Sequence, residues 1–370
     1  MGTFPRHLVR ASPFLALVAI VLVMTGTGGA ATQQTLYVAT TGADANAGTL
    51  DHPWRTIQHA LEMAQPGNTI DVLGGTYAGD LVAAQDGTSL RPIALTAYGN
   101  QKVVVRGPLR IAASWFSVSN LVFDGSASPN QVPIDISGDH VSVTRDEIRN
   151  SSMSGIFVGG GTGVRITGNW IHDNGTHVVR GVPQDHGIYV AQAQNGLIAD
   201  NIIDHNLGYG IQLYPAPKKM LVTENTIVAN GTLRDASHGA SGVIIGGSGS
   251  SGNIVADNIL VGNSECGVRS LRPLGAGNRV FSNLGYGNAA GDFPSGFYGA
   301  GLTFARNVVD APRFVDVGAR DYRLLATSPA RHRADKRYAQ PYDYANRRRS
   351  SRPDIGALEF VAIVRRAASP

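Results

Sequence analysis

The sequence predicts an all-β fold, a right-handed parallel β-helix closed at its amino end by a capping helix. Two observations predict it. The chain repeats about every 24 residues, and each repeat carries asparagine at two fixed positions. Aligning VSVTRDEIRNS, VRITGNWIHDN, LIADNIIDHN, LVTENTIVAN, IVADNILVGN and RVFSNLGYGN places Asp146, Asn169, Asn201, Asn225, Asn258 and Asn283 in one column. Five residues later Ser151, Asn174, Asn206, Asn230, Asn263 and Asn288 form a second, and Leu121 extends the first backwards. Steps along the first column are 23, 32, 24, 33 and 25 residues.

Each unit reads as short apolar runs broken by Asn or Gly, the pattern of brief strands joined by tight turns. One such unit cannot bury its apolar face, whereas stacked units place Ile, Val and Leu of successive coils on one another. Asparagine is expected in the turns because it tolerates the left-handed conformation and can bond its own amide one coil away.

The ends follow from the same logic. Residues 1–31 hold Arg6, Arg10, an apolar run from Phe14 to Met24 and small residues through Ala31, as in a cleaved signal peptide, so the chain is expected outside the cell or in the periplasm with no stable membrane anchor. Residues 53–65, PWRTIQHALEMAQ, follow Asp51, place Ile57, Leu61 and Ala64 at helical spacing, and stop at Pro66-Gly67; they are expected to cap the first coil. The solenoid is expected over 36–330, followed by a basic closing segment over 331–360 that wraps the last coil and a tail over 361–370.

Charge and cysteine content exclude several classes. Cys266 is the single cysteine, so stability must come from a core. Residues 331–370 hold ten Lys/Arg against four Asp/Glu, and residues 1–31 hold two Arg; of a formal +4, residues 32–330 therefore carry −4. That body does not advertise a nucleic-acid face. Arg347, Arg348 and Arg349 read first as a solvated or wall-hugging run, and second as a weak contact for an anionic polymer. A monomer is expected.

Two column steps exceed the others by about eight residues, and both insertions fall in the same turn: Asn174 to His186 before GIYV, and Asn230 to Ser241 before GVII. They therefore emerge from one side of the tube, with one coil between them, and mark a binding wall. If Ile134, Ile156, Ile188, Ile211, Val243 and Val268 point inward, then Asp135, Phe157, Tyr189, Gln212, Ile244 and Arg269 point outward. Ser137, Gly159, Ala191, Tyr214, Gly246 and Leu271 follow two residues on. This mixture suits an extended polysaccharide, with aromatic faces covering sugar rings between polar groups. The insertions add His177, Arg180, Asp185 and His186, then Arg234, Asp235 and His238.

YVATTGADANAGTLDHPWRTIQHALEMAQPGNTIDVLGGTY resembles the amino-terminal module of secreted right-handed β-helix proteins of the pectate-lyase-like superfamily. NVVDAPRFVD, DYRLLATSPA and PDIGALEF resemble the closing motifs of that group, so the resemblance spans residues 36–360. After Ala330, RHRADKRYAQ departs from the usual acidic-glycine turn. The resemblance implies a groove on the strands flanked by the insertions, and it admits lyases, hydrolases, epimerases and non-catalytic proteins. DHGIYV, Asp185 to Val190, is similar to strand starts of alginate-modifying β-helices, although the Asp-Pro-His-Asp signature of the epimerases is absent.

For a uronic-acid polymer, elimination or C5 epimerisation needs a base, a cation beside the substrate carboxylate, and a proton donor. His186 or His177 would be the base, Arg180 or Arg234 the clamp and Tyr189 the donor, with Lys218 and Lys219 as alternative bases. The sequence requires no cofactor; the resemblance implies calcium in many relatives, and Asp135, Asp139 and Asp185 could contribute oxygen ligands, but no regular acidic spacing marks a metal site. Asp185 and Asp235 facing each other would instead support glycoside hydrolysis. Loops that merely grip would make a carbohydrate-binding protein.

Overall fold

The computed structural model describes residues 34–179, 182–231 and 239–362. The expected signal peptide and residues 363–370 of the expected tail lie outside them. Within these residues the chain winds as a parallel β-solenoid whose coils each give one strand to three sheets, of 11, 10 and 8 strands. The first sheet runs from Thr35–Val38 to Thr303–Ala305, the second from Gly75–Ala78 to Val308–Val309 and the third from Leu81–Ala83 to Val268–Leu274. One coil shows the order: Ser142–Thr144, Glu147–Arg149, Ile156–Val158.

Stacking fixes the register. Ile134, Ile156, Ile188, Ile211, Val243 and Val268 pair in one column of the third sheet, and all six are fully buried. Each contributes about 1.5–3 kcal/mol by leaving water. The alternation of the sequence has become the wall of a continuous core.

The corners rest on amides. Nδ2 of Asn201 donates to Asn225 Oδ1 and to the Ile166 carbonyl, both at 2.9 Å. Its Oδ1 accepts from both N and Nδ2 of Asn169 at 2.9 Å. The same links continue through Asn258 and Asn283 to Asn307. The second column runs from Asn174 to Asn288 and ends on Asp292 Oδ1 at 2.6 Å. A short third ladder joins Asn253 to Asn278 at 2.9 Å, between the third and first sheets.

The left-handed position belongs to a different residue from the one expected. It is taken by the residue before each asparagine: Gly168 (φ 68°), Asp200 (57°), Glu224 (54°), Asp257 (56°) and Ser282 (56°). That residue turns the chain, and the asparagine after it enters the wall with its hydrogen-bonding capacity filled.

The amino-terminal helix is shorter than expected, Ile57–Met63, and begins after Thr56, whose side chain accepts the His59 amide. Asp44, not Asp51, fixes this start by accepting from Thr56 N, Thr56 Oγ1 and Arg55 N at 2.9 Å each. Ile57, Ala60 and Leu61 join the tube core.

The closing segment does not wrap the last coil. The antiparallel pair Phe314–Asp316 with Asp321–Leu324 and the segment after it lie along the outer wall of the second sheet, where Tyr322, Ile355 and Leu358 cover Ile202, Val228, Ile259 and Leu284. Buried Arg349 anchors it, reaching Asp200 at 2.5 Å, Glu359 at 3.2 Å and Glu224 at 3.3 Å. Burial raises both Asp200 and Glu224 well above the ordinary carboxylate range, against the opposing pull of Arg349.

Candidate functional site

The outer face of the third sheet carries the column Asp135, Phe157, Tyr189, Gln212, Ile244 and Arg269, paired residue by residue. Arg110 and Val82 continue it beyond Asp135. Phe157 meets Tyr189 edge to face at 5.2 Å. The column two residues on is thin, and the rings use that room: a Cβ on Gly159 would lie 3.1 Å from the Phe157 ring, and one on Gly246 3.1 Å from the Tyr214 ring. Phe157 and Tyr214 therefore lie along the sheet instead of standing off it.

At the far end Arg269 pairs with Glu265, and its guanidinium sits 4.9 Å from the centre of the Tyr298 ring. Ser241 Oγ donates to the other Glu265 oxygen at 2.9 Å. At the near end burial raises Asp135, partly offset by Arg110. Burial likewise raises the Tyr189 phenol, and Tyr214 adds to it.

The first insertion folds back on itself, with Val178–Val179 antiparallel to Val182–Pro183. Its base is tied by Asp185, whose buried Oδ2 accepts from His177 N at 2.8 Å and Thr176 N at 3.2 Å. The same oxygen lies 2.8 Å from His177 Nδ1. With the proton assigned to Nδ1, Nε2 is left as an acceptor on a ring that is 43% exposed. A carboxylate orienting an imidazole in this way is the arrangement a general base needs.

His186, the expected base, is placed differently. It is buried, its Nδ1 accepts the Tyr209 amide at 3.1 Å, and burial lowers it to about 3. Its ring packs against Tyr189 at 5.6 Å and Tyr209 at 5.0 Å. The geometry fits a neutral residue that positions Tyr189 and does not fit a base that touches substrate. Lys218 and Lys219 are exposed in the turn leading to the first sheet, beyond the opposite end of the strands from His177.

The remaining expectations divide. Arg180, Arg234, Asp235 and His238 lie outside the described residues. Asp135, Asp139 and Asp185 do not gather: Asp139 accepts the Thr162 amide at 2.7 Å, and Asp185 is committed to the His177 turn. Among the described residues no three His, Cys, Asp or Glu converge on a metal site. Glu265, Tyr209 and Tyr298 were missed. Glu265 precedes Val268 by three residues, as Asp185 precedes Ile188, so extending the outward column four residues back would have found it. Those two acids stand three coils apart, roughly 14 Å at sheet spacing, beyond the roughly 5–9.5 Å that glycoside hydrolysis requires.

A family described as "Right handed beta helix region" matches residues 111–272. A solved pectate lyase, Pel9A, superposes with TM-score 0.67 over 89% of this chain and 97% of its own, at 16% identity. The chain has the right-handed parallel β-helix fold. A rhamnogalacturonan lyase matches with TM-score 0.61 over 88% of this chain and 96% of its own, at 12% identity. Among curated proteins, pectate lyase PEL9 of Emericella nidulans is 38% identical over 74 residues, 20% of this chain and 18% of its own length. The chain thus matches less than a fifth of that relative, and at these identities the structural likenesses establish the β-helix fold.

Proposed function

We propose that this β-helix is a secreted enzyme acting on a uronic-acid polysaccharide, by β-elimination or C5 epimerisation. The observation that carries the reading is the His177–Asp185 pair at the edge of the aromatic and amide column. The polymer lies along the third sheet, across the strands, with sugar rings against Phe157 and Tyr189 and polar edges toward Gln212. His177 Nε2 takes the C5 proton while Asp185 holds the imidazole, and Arg180 or Arg234 meets the substrate carboxylate. In elimination the C5–H electrons form the C4–C5 double bond, the C4–O bond breaks and its oxygen takes the Tyr189 proton. In epimerisation the same donor returns a proton to the opposite face of C5. The likeness to two lyases supports this class, and the apolar amino-terminal run supports export.

The test is a panel of polygalacturonate, alginate and glycosaminoglycans, with and without calcium, followed by ultraviolet absorbance of the unsaturated product and by NMR of the intact polymer. Unsaturated ends or inverted C5 centres are expected. Reducing ends without unsaturation would replace the reading with hydrolysis, and binding without product would leave a carbohydrate-binding protein.

A further inference from the structure

On another side of the tube, the closing segment and the corner between the first and second sheets enclose a cleft of about 730 Å³. Arg306, Arg333, Lys336, Arg337 and Arg352 line it, and among the described residues Asp335 is its one lining carboxylate. That carboxylate is already neutralised: Arg337 donates to both of its oxygens, at 2.9 and 2.5 Å, and Arg306 reaches it at 3.3 Å. Arg333, Lys336 and Arg352 are exposed and form no ion pair among the described residues.

The cleft is built on fixed backbone. Asp335 N donates to Asp257 Oδ1 at 2.9 Å, His332 N to Asp354 Oδ1 at 2.7 Å, and Ala334 N to the Pro353 carbonyl at 3.1 Å. Charge is also segregated, since residues 32–330 carry a formal −4 while this segment is strongly basic. An anionic chain near the molecule is therefore drawn toward this segment.

We infer that this cleft is a second binding site for carboxylates of a polyanionic polysaccharide, gripping the polymer away from the third sheet. The kind of polymer rests on the proposed function; the cationic cleft does not. Two contacts on one chain raise the effective concentration of the second, so the cleft adds avidity without contributing to chemistry.

The test compares the protein with a variant carrying Arg333→Ser, Lys336→Ser and Arg352→Ser, exposed positions whose loss leaves Asp335 paired. Affinity electrophoresis in polygalacturonate, alginate and neutral galactan, at two salt concentrations, reads binding. The variant is expected to bind the two polyuronates about tenfold more weakly and with less salt dependence, and to turn over short oligouronides unchanged. Unchanged polyuronate affinity would overturn the inference, as would equal weakening toward galactan or a preference for polyphosphate over both polyuronates. Selective weakening with no product from the wild type would remove the proposed chemistry and keep the cleft. Product formation with unchanged affinity would do the reverse.

Discussion

His177 Nδ1 lies 2.8 Å from Asp185 Oδ2, and that oxygen also receives the backbone amides of His177 and Thr176. One carboxylate thus holds both the loop and the ring. Asp185→Asn places an amide where three donors converge and frees the imidazole to change tautomer. On a polyuronate substrate we expect kcat to fall about 10²-fold or more, with KM changing far less. Steady-state kinetics on the folded variant checks this; an unchanged kcat removes Asp185 from the mechanism.

His186 should behave otherwise. His186→Gln keeps an acceptor for the Tyr209 amide, so turnover is expected to stay within about tenfold of wild type, below the roughly 10²–10⁴-fold that a general base contributes. The pH dependence carries a second signature. The folded value of about 3 lies below the ordinary 6.5, so between those values the unfolded chain binds a proton that the native state refuses. Wild-type stability therefore falls as pH drops from about 6.5 toward 3, and the variant should lack that component. Urea unfolding at pH 7 and pH 4.5 measures it; a folded, inactive variant would restore His186 as the base.

Asp146 occupies an asparagine position, accepts the Leu121 amide at 2.8 Å through Oδ1 and leaves Oδ2 buried without a partner. Burial raises it to about 8. Its folded value exceeds the unfolded one, so the stability tied to its proton is present below about pH 4 and is lost as pH rises through 8. Asp146→Asn completes the ladder toward Asn169. It should raise stability by about 1–3 kcal/mol above pH 8 and much less at pH 5, as read by denaturant unfolding at both values. Equal gains at both would show that Asp146 is not protonated in the fold.

Arg349→Met leaves Asp200, Glu224 and Glu359 facing one another without their shared cation. The expected cost is about 3–5 kcal/mol at alkaline pH, where Asp200 and Glu224 are both ionised. It should shrink as pH falls through their raised native values, where protonation removes the repulsion. Limited proteolysis should cut residues 331–360 first while the tube stays intact; simultaneous loss of the whole solenoid would show that the segment folds as one unit with it.

The tube was legible because its signals are periodic: buried isoleucines and laddered amides recur at coil spacing, and the pairing of Asp135 with Phe157 and Tyr189 follows from that register alone. The left-handed residue was not, since Gly, Asp, Glu and Ser all occupy it and share no side-chain property. The fold-back of the closing segment was hidden for another reason. Arg349 and Asp200 are 149 residues apart and belong to no repeat. His186 misled because a histidine beside a strand reads alike whether it faces solvent or packs beneath a tyrosine; burial decides, and burial there depends on Tyr209, a coil away.

Binding of polymer to the outer face of the third sheet is testable residue by residue. Its most direct measurement is the affinity of Gln212→Ala and Phe157→Ala for the preferred polyuronate, set beside Thr167→Ala on the outer face of the first sheet. We expect each third-sheet variant to bind about tenfold more weakly, one polar contact or one ring face lost, with Thr167→Ala unchanged. Equal affinity for all three, or weakening by Thr167→Ala alone, would place the polymer elsewhere.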